Sequence, residues 1–207
     1  MSNQYTRKQE EDKLEQRTAR EAVADLASLL GFKENKPIIS AYDFVFNHCY
    51  TIDPHDFDNA IKKIPDKIYI KRLIDTWLAE KHMIVVKSRQ MMATWLFCSL
   101  NLWLALNQRG QYIFFVSKKE DDAGFSSSLS LLSRVFFIYE HLPKDMRIPF
   151  RKSLTPSMLV FPDNNSTIHG VSQDSDAVRQ YTTSSMFSDE MAFQERSEMS
   201  FAAIKPT

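Results

Sequence analysis

The 207-residue chain sets 26 basic against 26 acidic side chains, so it has no global field to attract nucleic acid, and any DNA contact has to come from a local patch. With 43% apolar residues it is too hydrophobic for general disorder, and its length suits one compact domain with a small appendage. Cys49 and Cys98 form no CxxC, the histidines form no HExxH or HxH, the polar N-terminus is no signal peptide and no apolar run reaches membrane-spanning length. A disulfide scaffold, a zinc cluster and a membrane partner are therefore not indicated, and a reducing compartment is the simpler reading. Glycine is confined to Gly31, Gly110, Gly124 and Gly170, which excludes a glycine-rich phosphate loop in its usual form.

In chain order, residues 7–21 carry ten charges of mixed sign, and Val23, Leu26, Leu29 and Leu30 follow at helical spacing before Gly31. The pattern predicts an amphipathic helix over 7–30, a peripheral arm without chemistry. Pro37, Asp53-Pro54 and Pro65 punctuate 32–66, and Tyr42, Phe44, Val45, Phe46 and Tyr50 should pack on the main body. Ile70, Leu73, Ile74, Trp77 and Leu78 mark one face of a helix beginning near 68. Met83-Ile84-Val85-Val86 is an uninterrupted, β-branched apolar run and predicts a strand buried on both faces. Residues 95–107 are apolar nearly all round and predict a buried helix, closed by Gly110. A strand at 112–116 and a helix over about 125–141 come next, then a hairpin pairing 158–161 with 167–171. Residues 185–188 lead as a strand into Asp189-Glu190, and 192–204 reads as a helix. Alternating strands and helices argue for an α/β domain with a largely parallel sheet. Lys62, Lys63, Lys67, Lys71 and Arg72 form a basic strip, read as a solvated helix face in preference to a DNA contact.

The chemistry-bearing segment is Lys87-Ser88-Arg89-Gln90-Met91-Met92-Ala93-Thr94, between the expected strand at 83–86 and the buried helix. An eight-residue strand-to-helix turn ending in Thr is the geometry of a P-loop, whose amides and helix N-terminus hold phosphate oxygens while the terminal hydroxyl joins a Mg²⁺ shell. Lys87, Met92 and Ala93 stand where the GxxxxGK[ST] pattern has glycine, glycine and lysine; Thr94 matches. Lys87 and Arg89 supply positive charge at the loop entrance. Ser185-Met186-Phe187-Ser188-Asp189-Glu190 is a Walker B arrangement: Asp189 would stand beside Mg²⁺ and Glu190 beside the attacking water.

These residues resemble the large terminase subunits of tailed bacteriophages, over 83–94 (MIVVKSRQMMAT) and 176–193 (DAVRQYTTSSMFSDEMAF), with the likeness spanning about 65–204. In that family the loop core reads Ser-Arg-Gln-hydrophobic-Gly-Lys-Thr, and some members move the lysine to the first position, the place of Lys87. Arg179-Gln180-Tyr181-Thr182 is similar to the family's Arg-Gly-Tyr-Thr stretch, which implies Arg179 as an arginine finger acting on a neighbour's ATP site. The resemblance implies an additional-strand (ASCE) P-loop NTPase with a mainly parallel central sheet flanked by helices. It divides the chain into a helical or irregular appendage over 1–60 and an ATPase core over 61–207.

The function so implied is a motor ATPase that packages double-stranded DNA into a procapsid in the host cytoplasm. ATP and Mg²⁺ would serve as ligands, and the portal protein, the small terminase subunit and a homo-oligomeric ring as partners. The expected roles are Glu190, Arg179 and Lys87 in catalysis, Lys87 to Thr94 around the nucleotide, and Thr94 with Asp189 on the metal. Tyr69, near the family's adenine-contacting position, reads instead as a surface residue. The chain stops seventeen residues past Glu190, so the family's C-terminal nuclease domain is expected to be absent. Two alternatives stand beside this reading: another ASCE translocase or helicase, and a degenerate module that no longer hydrolyses ATP. Met92 and Ala93 argue for the second, and Glu190 argues against it.

Overall fold

The computed structural model describes residues 39–53, 56, 58–88, 91–173 and 181–194. Contacts divide the chain into Met1–Lys36 and Pro37–Thr207, and every described residue belongs to the second unit. The helix expected over 7–30 lies outside the described residues, as does most of that expected over 192–204.

The described elements are α1 (Ala41–Asp43), which runs into a π-helical turn Phe44–His48, the strands β1 (Tyr50–Ile52) and β2 (Ile61–Lys63), and the helices α2 (Ile68–Ala79) and α3 (Ala93–Asn107). Then come β3 (Tyr112–Ser117), α4 (Glu120–Ala123), α5 (Leu131–His141), β4 (Arg151–Leu154), β5 (Ser157–Phe161), β6 (Ser166–Ser172) and β7 (Ser185–Ser188).

α3 organises the core. Every residue in it except Leu104 is buried, as its apolar sequence demands. Its polar side chains survive burial by bonding to the preceding turn: Ser99 Oγ donates to the Trp95 carbonyl, Asn101 Nδ2 to that of Phe97 and Asn107 Nδ2 to that of Trp103, each at 2.9 Å. Leu96, Leu100 and Leu102 pack with Ile113 and Phe115 of β3, Leu132 and Val135 of α5, and Phe44 and Val45 of the early turn. Each such side chain contributes about 1.5–3 kcal/mol through its removal from water. Gly170 of β6 sits where the chain passes close under α4: a Cβ there would come within 2.7 Å of the Ala123 carbonyl oxygen.

The main sheet has the order β4-β5-β6-β3-β7. β3 lies parallel to β6 and to β7, whereas β5 runs antiparallel to both β4 and β6. The expectation of a P-loop NTPase with a mainly parallel central sheet is therefore corrected to an α/β fold with a mixed sheet, joined by a separate antiparallel β1–β2 pair. The reason lies in connection length. Parallel neighbours need a crossover of a dozen or so residues, and only a turn of a few residues separates β4 from β5 or β5 from β6. The second correction concerns 83–86. This stretch joins no ladder among the described residues; Met83 and Val85 lean on the core, while Ile84 is 82% and Val86 97% exposed. A smaller one concerns the helix expected from 125, which starts at Leu131 after a turn tied by Ser130, whose Oγ donates to the Ser127 carbonyl at 2.6 Å.

The basic strip is partly neutralised from within. Lys62 pairs with Asp53 and Asp56 at 3.0 and 2.7 Å, Lys71 pairs with Asp66 at 2.8 Å, and Lys63 lies over the Tyr50 ring.

Candidate functional site

The strand β7 is fastened along the face of α3 by three contacts at successive levels. Ser185 Oγ donates to Asn101 Oδ1 at 2.7 Å. The Phe187 and Phe97 rings lie 5.3 Å apart. At the end where β7 finishes and α3 begins, Thr94 Oγ1 donates to Asp189 Oδ2 at 3.0 Å, across 95 residues of sequence. The spacing 94, 97, 101 is one helical face and 185, 187, 189 is one side of an extended segment, so the periodicities of both elements meet here.

Asp189 is held from several sides. Its backbone N–H donates to the Val116 carbonyl at 3.2 Å, extending the β3–β7 ladder by one bond. Its Oδ1 accepts from the Glu190 N–H at 3.1 Å, and its carbonyl accepts from Gln194 Nε2 at 2.8 Å. Gln194 is itself buried and accepts at Oε1 from Ser188 Oγ. Glu190 adopts the left-handed region, with φ 51° and ψ 38°, and turns the chain away from the sheet directly after Asp189.

The turn into α3 has the same feature. Met92, at the position where the P-loop pattern has its second glycine, has φ 55° and ψ 7°: it takes the left-handed conformation that glycine would take without cost. α3 therefore begins abruptly, with the amides of its first turn open for an anion and Thr94 in that turn.

The structure thus brings together Thr94, Asp189 and, by adjacency, Glu190. Lys87 and Ser88 stand exposed at the end of the stretch 82–88, Met91 and Met92 are half-buried, and Ala93 is buried at the helix start. Arg89, Gln90 and Arg179 lie outside the described residues. Tyr181, two positions after Arg179, stacks on Tyr112 with centroids 4.4 Å apart and planes 7° from parallel.

Three contributors escaped the sequence reading. Asn101 and Gln194 are polar residues whose burial no periodicity announces. Arg134 of α5 lies over the Trp95 ring, with its guanidinium carbon 5.3 Å from the centroid. It had left a signal, being the only charge in the run Leu131–Tyr139. Beneath Thr94, burial pushes the Cys98 thiol up; nearby Arg134 opposes that shift and Asp189 adds to it. Cys49 is likewise buried, and its thiol is pushed up to about 12, so neither cysteine offers a thiolate at neutral pH.

The donor set suits a hard cation. Among the described residues no group of three or more His, Cys, Asp or Glu side chains converges, so a cage built wholly from such ligands has no support there. A hydroxyl and one carboxylate oxygen side by side match the way Mg²⁺ is held, through one or two protein oxygens with the remaining positions left to water and substrate phosphates. No protein-family model matches the chain, and no curated protein matches it significantly.

Proposed function

We propose that this chain is a Mg²⁺-dependent ATP hydrolase, and specifically the motor ATPase of a viral DNA-packaging machine of the large-terminase kind. The observation that carries the proposal is the Thr94–Asp189 hydrogen bond. Two residues selected from sequence as a shared metal pair are in contact, at the N-terminus of a buried helix and beside a second strand-end carboxylate.

Thr94 and Asp189 would hold Mg²⁺, which when bound neutralises charge on the phosphate oxygens. The first-turn amides of α3 take phosphate oxygens, and Lys87 and Arg89 add charge from the loop entrance. Glu190 orients the attacking water and accepts its proton. Arg179 acts on the site of a neighbouring copy. The wider reading follows the family resemblance: double-stranded DNA as cargo, portal protein and small subunit as partners, a homo-oligomeric ring, assembly in the host cytoplasm.

The test is phosphate release from Mg·ATP by wild type and by Glu190→Gln. The variant should bind ATP yet turn over at least about 100-fold more slowly. Wild-type turnover that rises with ring assembly, and that is poisoned by Arg179→Ala subunits, supports trans action. Equal rates for wild type and Glu190→Gln would overturn the hydrolase reading.

A further inference from the structure

Among the described residues Arg134 is a cation without an anion. Its Nε is closed off from solvent and has no hydrogen-bond partner, and no carboxylate among the described residues pairs with it. A partly buried guanidinium with no carboxylate beside it among the described residues is costly to hold, and an anion that meets its terminal nitrogens offsets part of that cost. The Trp95 ring positions it. Trp95 is the third residue of α3, in its first turn, so Arg134 over that ring stands beside the start of the helix.

We propose that Arg134 is a phosphate ligand of the nucleotide site, its planar fork meeting the phosphate oxygens of a bound nucleoside triphosphate beside the start of α3. The inference rests on the reading of Thr94 and Asp189 as a nucleotide-metal pair. Arginine suits the role because its donors are arranged for paired contact with phosphate and its charge persists at every working pH. The Trp95 face holds it in place before the ligand arrives.

The experiment separates charge from packing. The full chain is titrated with Mg·ATPγS as wild type, Arg134→Lys and Arg134→Met, and the thermal midpoint of each is recorded. Methionine packs on an indole but carries no charge; lysine keeps the charge and loses the fork. The expected result is about 10–100-fold weaker binding for Arg134→Met and a smaller loss for Arg134→Lys, with Met at least as heat-stable as Lys. Affinity that follows the thermal midpoint, or unchanged binding by Arg134→Met, overturns the proposal. Should the methionine variant not fold, Arg134→Gln takes its place, and wild-type affinity there is equally fatal. A folded wild-type chain that binds no ATPγS removes the nucleotide reading and this inference together. Binding by wild type that is indifferent to residue 134 removes this inference alone.

Discussion

Two apolar runs of nearly the same character meet opposite fates in this molecule. Ile113-Phe114-Phe115-Val116 is buried, with Ile113, Phe114 and Phe115 at 0% exposure, and is laddered on both sides by β6 and β7. Met83-Ile84-Val85-Val86 leaves every second side chain in solvent and joins no ladder among the described residues. Both are uninterrupted apolar runs of four that contain β-branched residues; what differs in their surroundings is whether another backbone lies alongside. A strand is a relation between segments, and a single run of sequence reports only one partner in it.

That contrast can be broken or sharpened by substitution. Phe115→Ala should destabilise the fold by about 3–5 kcal/mol in urea denaturation, the cost of emptying a fully packed aromatic site; a loss under 1 kcal/mol would show that β3 is not the spine of the core. Gly170→Ala, in the strand beside it, should cost about 1–3 kcal/mol, because the new methyl group meets the Ala123 backbone rather than a side chain that can swing away.

The same β3–β6 pair carries a pH signature. His169 is 7% exposed, and burial holds its pKa below the usual histidine value. Its Nδ1 lies 3.3 Å from the Tyr112 hydroxyl, and the Phe114 ring packs beside it. Between that lowered pKa and about 6.5 the unfolded chain binds the proton more readily than the folded one. Stability should therefore be full above about pH 6.5 and fall as pH drops through the folded value; the pH series of His169→Gln should lose that component. Tyr112 works at the other extreme. Burial raises its pKa to about 12, so its contribution is intact below about pH 10 and lost as pH rises toward 12.

Away from the buried strand the effects shrink. Met92→Gly should change stability by less than about 1 kcal/mol, since relief of the left-handed backbone is opposed by the loss of a half-buried side chain from the core and by the extra freedom of the unfolded chain. Ile84→Ala should change stability by less than about 0.5 kcal/mol, as expected of a side chain already in water. A cost near that of Phe115→Ala would mean that 83–86 is paired in solution.

What could be read from sequence follows the same division. The all-round apolar run 95–107 could only be a buried helix, and the hairpin 158–161/167–171 declared itself through its Pro-Asp-Asn-Asn turn. The contact between Thr94 and Asp189 was reachable because the loop-to-helix and strand-end patterns, taken together, assign the two residues to one site. The sheet's direction was not reachable from alternation alone: the short link between β4 and β5 adds an antiparallel strand that no periodicity in Arg151–Leu154 announces. Arg134 was missed because a lone charge in an apolar stretch does not tell what it faces until the neighbouring elements are placed, and Gln194 because, followed by Glu195 and Arg196, it reads as a solvated residue.

The central claim is that Thr94 and Asp189 form a metal-nucleotide site, and calorimetric titration of the full chain with ATPγS, in Mg²⁺ and in EDTA, tests it most directly. The account predicts binding that weakens at least about tenfold without the cation in wild type, and Asp189→Asn binding that is weak in both conditions. Affinity that is the same with and without Mg²⁺, and unaffected by Asp189→Asn, would contradict it.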